Sequence, residues 1–174
     1  TVRGTDTTFT AASNIGQVIK IGSEAAEITA VSVVDTTHQN LTVNVAFSVN
    51  AAGTSYSLFN AASVNGAGTV TTGSGANADK ATGSSTSFKN GGANDAFVAN
   101  DIIKINSTTP QYRIVSATPS NDTTLKSTVN FSPQVTTATT YKRFTAASAS
   151  TAGPATVDVA ANSTTVTANT TGAA

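Results

Sequence analysis

Apolar and polar residues alternate along this chain over short stretches, and the alternation stops every few residues at Gly, Asn or Pro. Leu41, Val43, Val45 and Phe47 fall on one face of a period-two segment. Ile103 and Ile105 share a face while Lys104 points the other way. Residues 111–117 place Tyr112 and Ile114 on one side and Arg113 and Val115 on the other, and residues 125–131 bring Leu125, Val129 and Phe131 together. Short strands at intervals of about 8–12 residues, joined by turn-forming residues, predict an all-β fold of small sandwich or barrel type. No stretch sustains a helical period. Helix is expected at most as a turn in the Ala-rich stretches after Phe59 and Phe144.

The pattern is written twice, about 84 residues apart. Val18-Ile19-Lys20-Ile21 returns as Ile102-Ile103-Lys104-Ile105, and Val31-Ser32 as Val115-Ser116. Leu41, Val45, Phe47 and Ser48 return as Leu125, Val129, Phe131 and Ser132. The match then slips by one position, so that Tyr56 and Phe59 answer to Tyr141 and Phe144. This predicts two tandem β-units of similar topology, residues 1–67 and 68–152, followed by an extended C-terminal strand or tail at 153–174.

The ends of the copies do not match. The second copy opens with Thr69-Val70-Thr71 and continues through residues 81–88, which echo residues 2–9. The first copy has no counterpart of the opening strand, whereas Thr156-Val157-Asp158-Val159 resembles it. Thr164-Thr165-Val166-Thr167 then resembles the strand at Thr1-Val2. A strand without partners leaves backbone N–H and C=O groups unpaired. Thr1, Val2, Thr156, Val157, Val159, Thr165, Val166 and Thr167 are therefore candidate assembly residues, through which one subunit's tail completes the next subunit's head by β-strand addition. The alternative is a disordered Ser/Thr/Ala tail. Thr1 without a preceding Met fits removal of an initiator Met and cleavage of a precursor equally.

Composition narrows the partners. Nine basic and nine acidic residues among 174 give no net charge, so nothing points to nucleic acid. No apolar run reaches the roughly 18 residues of a membrane-spanning helix, and no membrane insertion is expected. The chain has no Cys, which excludes disulfides and thiolate metal sites.

Candidate chemistry is thin. His38 is the only histidine and lies in a turn near Asp35, with Asp122 at its place in the second copy. Gly73-Ser74-Gly75 lacks the strand–turn–helix setting of a nucleophile elbow. No enzymatic activity is expected, and no catalytic, cofactor-binding or metal residues are assigned. Asn94-Asp95 and Asn100-Asp101 carry oxygen donors that could serve Ca²⁺, but their spacing matches no calcium loop. Lys20 and Lys104 sit on matching strands, either as a contact surface or as charges protecting a sheet edge. Tyr56, Tyr141, Phe59 and Phe144 read as core. Six Asn-X-Ser/Thr sequons are no more than this composition gives by chance.

The second copy also carries a resemblance. Phe97-Val98-Ala99-Asn100-Asp101-Ile102-Ile103-Lys104-Ile105, then Tyr112-Arg113-Ile114-Val115-Ser116, then Asn121-Asp122-Thr123-Thr124-Leu125, resembles a repeat of tailed-phage virion proteins. In that repeat a Gly-Asp-hydrophobic-Ile strand is followed by Tyr-x-Ile-x-Ser and Asp-Thr-x-Leu strands. The first copy fits more loosely, with Gly16-Gln17 and Asn40-Leu41 at the corresponding places. The resemblance implies a non-enzymatic, self-associating structural protein of a virion (capsid decoration, fibre or tail accessory) whose partners are copies of itself and other virion proteins. A second reading is a subunit of a bacterial or archaeal extracellular filament at the cell surface, polymerised by strand complementation. A third is a carbohydrate- or cell-surface-binding module, which would need an exposed aromatic platform that a chain without Trp supplies poorly.

Overall fold

The computed structural model describes residues 9, 11–35, 38–48, 50–147 and 156–169, and it is all-β. It divides into two compact units, Thr1–Asn60 with Ala146–Ala174, and Ala61–Thr145. The divisions fall elsewhere than at 1–67, 68–152 and 153–174, because the described C-terminal residues pack with the first unit.

In the first unit, β1 (Val18–Ile21) turns through Gly22-Ser23 into β2 (Glu24–Asp35). Gly22 has a φ of 60°, the left-handed value that a two-residue hairpin turn requires and glycine supplies without strain. The strand β3 (His38–Phe47) returns along β2, and β4 (Ala51–Thr54) and β5 (Tyr56–Ala61) follow. The strand order is β4-β12-β13-β3-β2-β1-β5, where β12 is Thr156–Val159 and β13 is Ser163–Asn169. A flat sheet of seven strands would hold its outer strands roughly 29 Å apart at about 4.8 Å per strand. Only Ser55 separates β4 from β5, so the sheet has to curl until its two ends meet. Phe9, Ile19, Ile21, Ile28, Leu41, Val43, Phe47, Val157, Val159 and Val166 fill its interior.

The second unit contains β6 (Thr69–Thr72), β7 (Lys80–Ser84), β8 (Ile102–Ile105), β9 (Gln111–Ile114), β10 (Thr124–Lys126) and β11 (Tyr141–Ala146). Strands β11-β8-β9 are neighbours, as are β10-β7-β6. An isolated bridge from Val115 to Ser127 links β9 to β10. At the other end Val70 exchanges hydrogen bonds with Thr139 at 2.8 and 3.0 Å, just before β11 begins. The core is an aromatic cluster of Phe88, Phe97 and Tyr141, with ring centroids 5.3–6.0 Å apart, set among Ile103, Ile105 and Leu125.

Several pairings recur in both units, although the registers of β1 with β2 and of β8 with β9 differ. Ile21 faces Tyr56 and Val18 faces Phe59, just as Ile105 faces Tyr141 and Ile102 faces Phe144. Leu41 faces Val166 as Leu125 faces Ala81. Val157 lies between Ala168 and Thr54, as Val70 lies between Gly83 and Thr139. By register, β12 and β13 therefore occupy in the first unit the places of β6 and β7 in the second.

Some expectations need correction. The strand expected over 125–131 stops at Lys126, because Ser127 Oγ turns to donate to the carbonyls of Asp79 and Val129. Val129 is left 39% exposed while Leu125 and Phe131 stay buried. The α-helical turn is at Ala11–Asn14, not after Phe59, where residues 62–68 hold no helix. Lys20 and Lys104 protect no edge, since β1 and β8 are each paired on both sides. Lys104 instead lies 5.6 Å over the Tyr112 ring.

Candidate functional site

The candidate site is the seat of the β12–β13 hairpin in the first unit. Val157 and Val159 on β12, and Val166 and Ala168 on β13, alternate with polar residues, so one face of the hairpin is apolar. All four are buried against Phe9, Leu41, Val43 and Phe47. The connection is the three-residue turn Ala160-Ala161-Asn162, with Asn162 at a φ of 60°, a value asparagine tolerates better than most residues. Ser163 N–H closes it by donating to Ala160 C=O at 3.1 Å.

Polar contacts fix the hairpin at both edges. Asp158 Oδ1 accepts from Gly53 N–H at 2.7 Å, and Asn50 Oδ1 accepts from Ala161 N–H at 2.6 Å. Asn162 N–H donates to Phe47 C=O at 2.7 Å. Thr167 Oγ1 donates to Asn40 Oδ1 at 3.1 Å, across a register in which the two residues are direct partners. Beside them, the buried Gln39 side chain donates to Phe9 C=O at 3.0 Å and accepts from Phe9 N–H at 2.8 Å, holding Phe9 against the first residues of β3.

Of the candidate assembly residues, the structure brings Thr156, Val157, Val159, Thr165, Val166 and Thr167 together in this one hairpin. Thr1 and Val2 lie outside the described residues. The residues that pair with the hairpin, His38 to Thr42 and Phe47 on β3 and Ala51 and Thr54 on β4, were not distinguished by the sequence as its seat.

The residues weighed for chemistry stand apart or are engaged internally. Asp35 and His38 pair as backbone at the end of the β2–β3 hairpin. Ser74 precedes a 3-10 turn at Gly75–Asn77 and belongs to the other unit. Asp95 Oδ1 accepts from Ala67 N–H at 2.5 Å and from the Tyr141 hydroxyl at 2.9 Å. Burial, and secondarily Asp95, pushes the Tyr141 phenol well above the ordinary tyrosine range. Asp101 Oδ2 accepts from Val98 N–H and forms a buried ion pair with Arg143 Nε at 2.8 Å. Asp122, at the place of His38, clamps a loop by accepting from the backbone N–H groups of Asn90 and Lys89 and from the Asn90 side chain. These bonds hold its carboxyl below the usual carboxylate range.

Among the described residues no group of three or more His, Asp or Glu side chains is placed to hold a metal ion, and no helix is long and apolar enough to cross a membrane. Phe59, Tyr141 and Phe144 are core residues. Comparison with known proteins finds no matching family model, no matching curated protein and no matching solved structure.

Proposed function

We propose that this chain is a non-enzymatic structural subunit that associates with copies of itself, as a decoration, fibre or tail accessory of a phage particle. The observation that carries the reading is the composition of the first unit, whose β-circuit is closed by a hairpin separated from it in sequence by the whole second unit. A part so placed belongs to a building block that joins pieces of chain, and the polar side chains of the site hold strands together. The phage setting is supported by the repeat of Asp-Ile-Ile-Lys-Ile, Tyr-Arg-Ile-Val-Ser and Asp-Thr-Thr-Leu segments in the second copy.

The extracellular-filament reading draws on the same hairpin, and electron microscopy separates the two. Symmetric density on capsids or tails incubated with the purified protein supports the virion role. Threads formed by the protein alone support the filament. A protein that light scattering finds monomeric at every concentration, and that binds no particle, refutes both.

A further inference from the structure

We propose that the partner of the hairpin seat is a second copy of this chain, and that copies join head to tail by exchanging the Thr156–Asn169 hairpin. The inference rests on the self-association reading above and names how it is achieved.

Three observations carry it. First, the described contacts that seat β12 and β13 are made to residues 9–54, so an identical seat exists on every other copy. Such an element can leave its own chain and enter another without forming any new kind of contact. Second, the chain order is informative. In the second unit the hairpin β6–β7 precedes the strands it closes, β8 to β11. In the first unit the equivalent hairpin comes after the strands it closes, with residues 61–145 in between. When β12–β13 of one copy closes residues 9–61 of the next, the order hairpin-then-unit found in the second unit is restored across the junction. Third, the registers fit that continuity. Asn169 at the end of β13 faces His38, and Phe9 is bound to the adjacent Gln39. Their counterparts Ser84 and Phe88 are neighbours along one continuous chain in the second unit, where Phe88 N–H donates to Asp122 C=O.

The connecting sequence allows the exchange. Residues 148–155 read Ser-Ala-Ser-Thr-Ala-Gly-Pro-Ala, without charge or large side chains. Fully extended, the path from Ala147 to Thr156 spans at most about 30 Å, which sets how near the two copies must lie. Since the contacts in cis and in trans are the same, the balance is set by concentration. Exchange overtakes self-closure when neighbouring copies approach the effective concentration of the tethered hairpin, in the millimolar range for a short linker. A filament or particle surface supplies such crowding.

The absence of cysteine makes the test clean. Asn40 and Thr167 are direct cross-strand partners with touching side chains, a placement close to disulfide geometry. Chains carrying only Asn40→Cys and chains carrying only Thr167→Cys are mixed, assembled at high concentration and oxidised. Exchange predicts a disulfide-linked species of twice the chain mass that forms only in the mixture. The double variant N40C/T167C, oxidised as a dilute monomer, should lose assembly and regain it when reductant is added. That recovery shows that the locked chain was folded. Assembly of the locked variant at the unlocked level, or an assembled mixture with no interchain disulfide, overturns exchange while leaving self-association standing. A wild-type chain that light scattering finds monomeric at every concentration overturns both.

Discussion

Shortening Val166 to alanine tests whether the C-terminal hairpin belongs to the first unit's core. Val166 is fully buried, faces Leu41 on one side and Val159 on the other, and belongs to the first unit's apolar cluster. The change removes two methyl groups. At about 0.8 kcal/mol per buried carbon, plus part of the cavity they leave, the loss is about 2 kcal/mol. Since about 1.4 kcal/mol is tenfold in an equilibrium, amides protected by the seated hairpin should open about 30-fold more often. Hydrogen exchange followed by mass spectrometry reads this directly. Peptides covering β3 should exchange faster although the substitution is more than a hundred residues away, and peptides covering β8 and β9 should not change.

Val70→Ala is the matched control. Val70 holds the place of Val157 in the second unit and is equally buried, so its loss should accelerate exchange within residues 61–145 and leave β3 untouched. If Val166→Ala loosens only residues 156–169 and leaves β3 protected, the hairpin contributes nothing to the first unit and the reasoning fails.

Other expectations concern the second unit. Asp101→Asn leaves Arg143 facing a neutral amide in a pair whose side chains are only 6% and 13% exposed. Arg143 keeps its bond to Ala93 C=O, so the cost should be about 2 kcal/mol, read as a lower urea midpoint. Gly68 has a φ of 76°, and an added Cβ would lie 2.2 Å from the Ser84 carbonyl oxygen. Gly68→Ala should therefore lower the melting temperature by the equivalent of about 3 kcal/mol, whereas Gly92→Ala, with open space around it, should stay within about 0.5 kcal/mol of wild type. In an ultraviolet titration Tyr141 should ionise well above the ordinary tyrosine range, and Asp95→Asn should bring its ionisation earlier. Above the ordinary tyrosine pKa of about 10 the unfolded chain releases this proton and the folded chain keeps it. Stability should therefore fall as pH rises through that value, and a stability that rose there would contradict the burial of the phenol.

Periodicity located strands well where both faces of the argument were local. Thr156–Val159 was visible as a strand because its valines alternate with polar residues, and the paired Ile-Lys-Ile segments were visible because the sequence repeats them. The partner of each strand was less legible. Nothing near Val166 in sequence says that it faces Leu41 of its own chain, since side-chain alternation fixes a face and leaves the neighbour open. The edge reading of Lys20 and Lys104 fails for the same reason, since a lysine in an interior strand and one at an edge look alike until the pairing is known. Val129 kept the right phase for the core, but the side chain of Ser127 redirected the backbone. Ala-Ala-Ser begins a helical turn at Ala11, while Ala146 ends a strand before the same dipeptide, so context decided what local propensity could not.

The split of the first unit between Thr1–Asn60 and Ala146–Ala174 bears on the order in which the molecule is made. The second unit is drawn from one continuous stretch of chain and can close as soon as residue 145 is free. The first unit emerges earlier yet stays an open, incomplete ring until residues 156–169 arrive, with Thr167 and Asn40 meeting across a separation of 127 residues. The expected order of completion is therefore the reverse of the order of synthesis, with the later unit finished first. Throughout that interval β3 and β4 offer bare edges on either side of one vacant slot, the place that the Thr156–Asn169 hairpin fills.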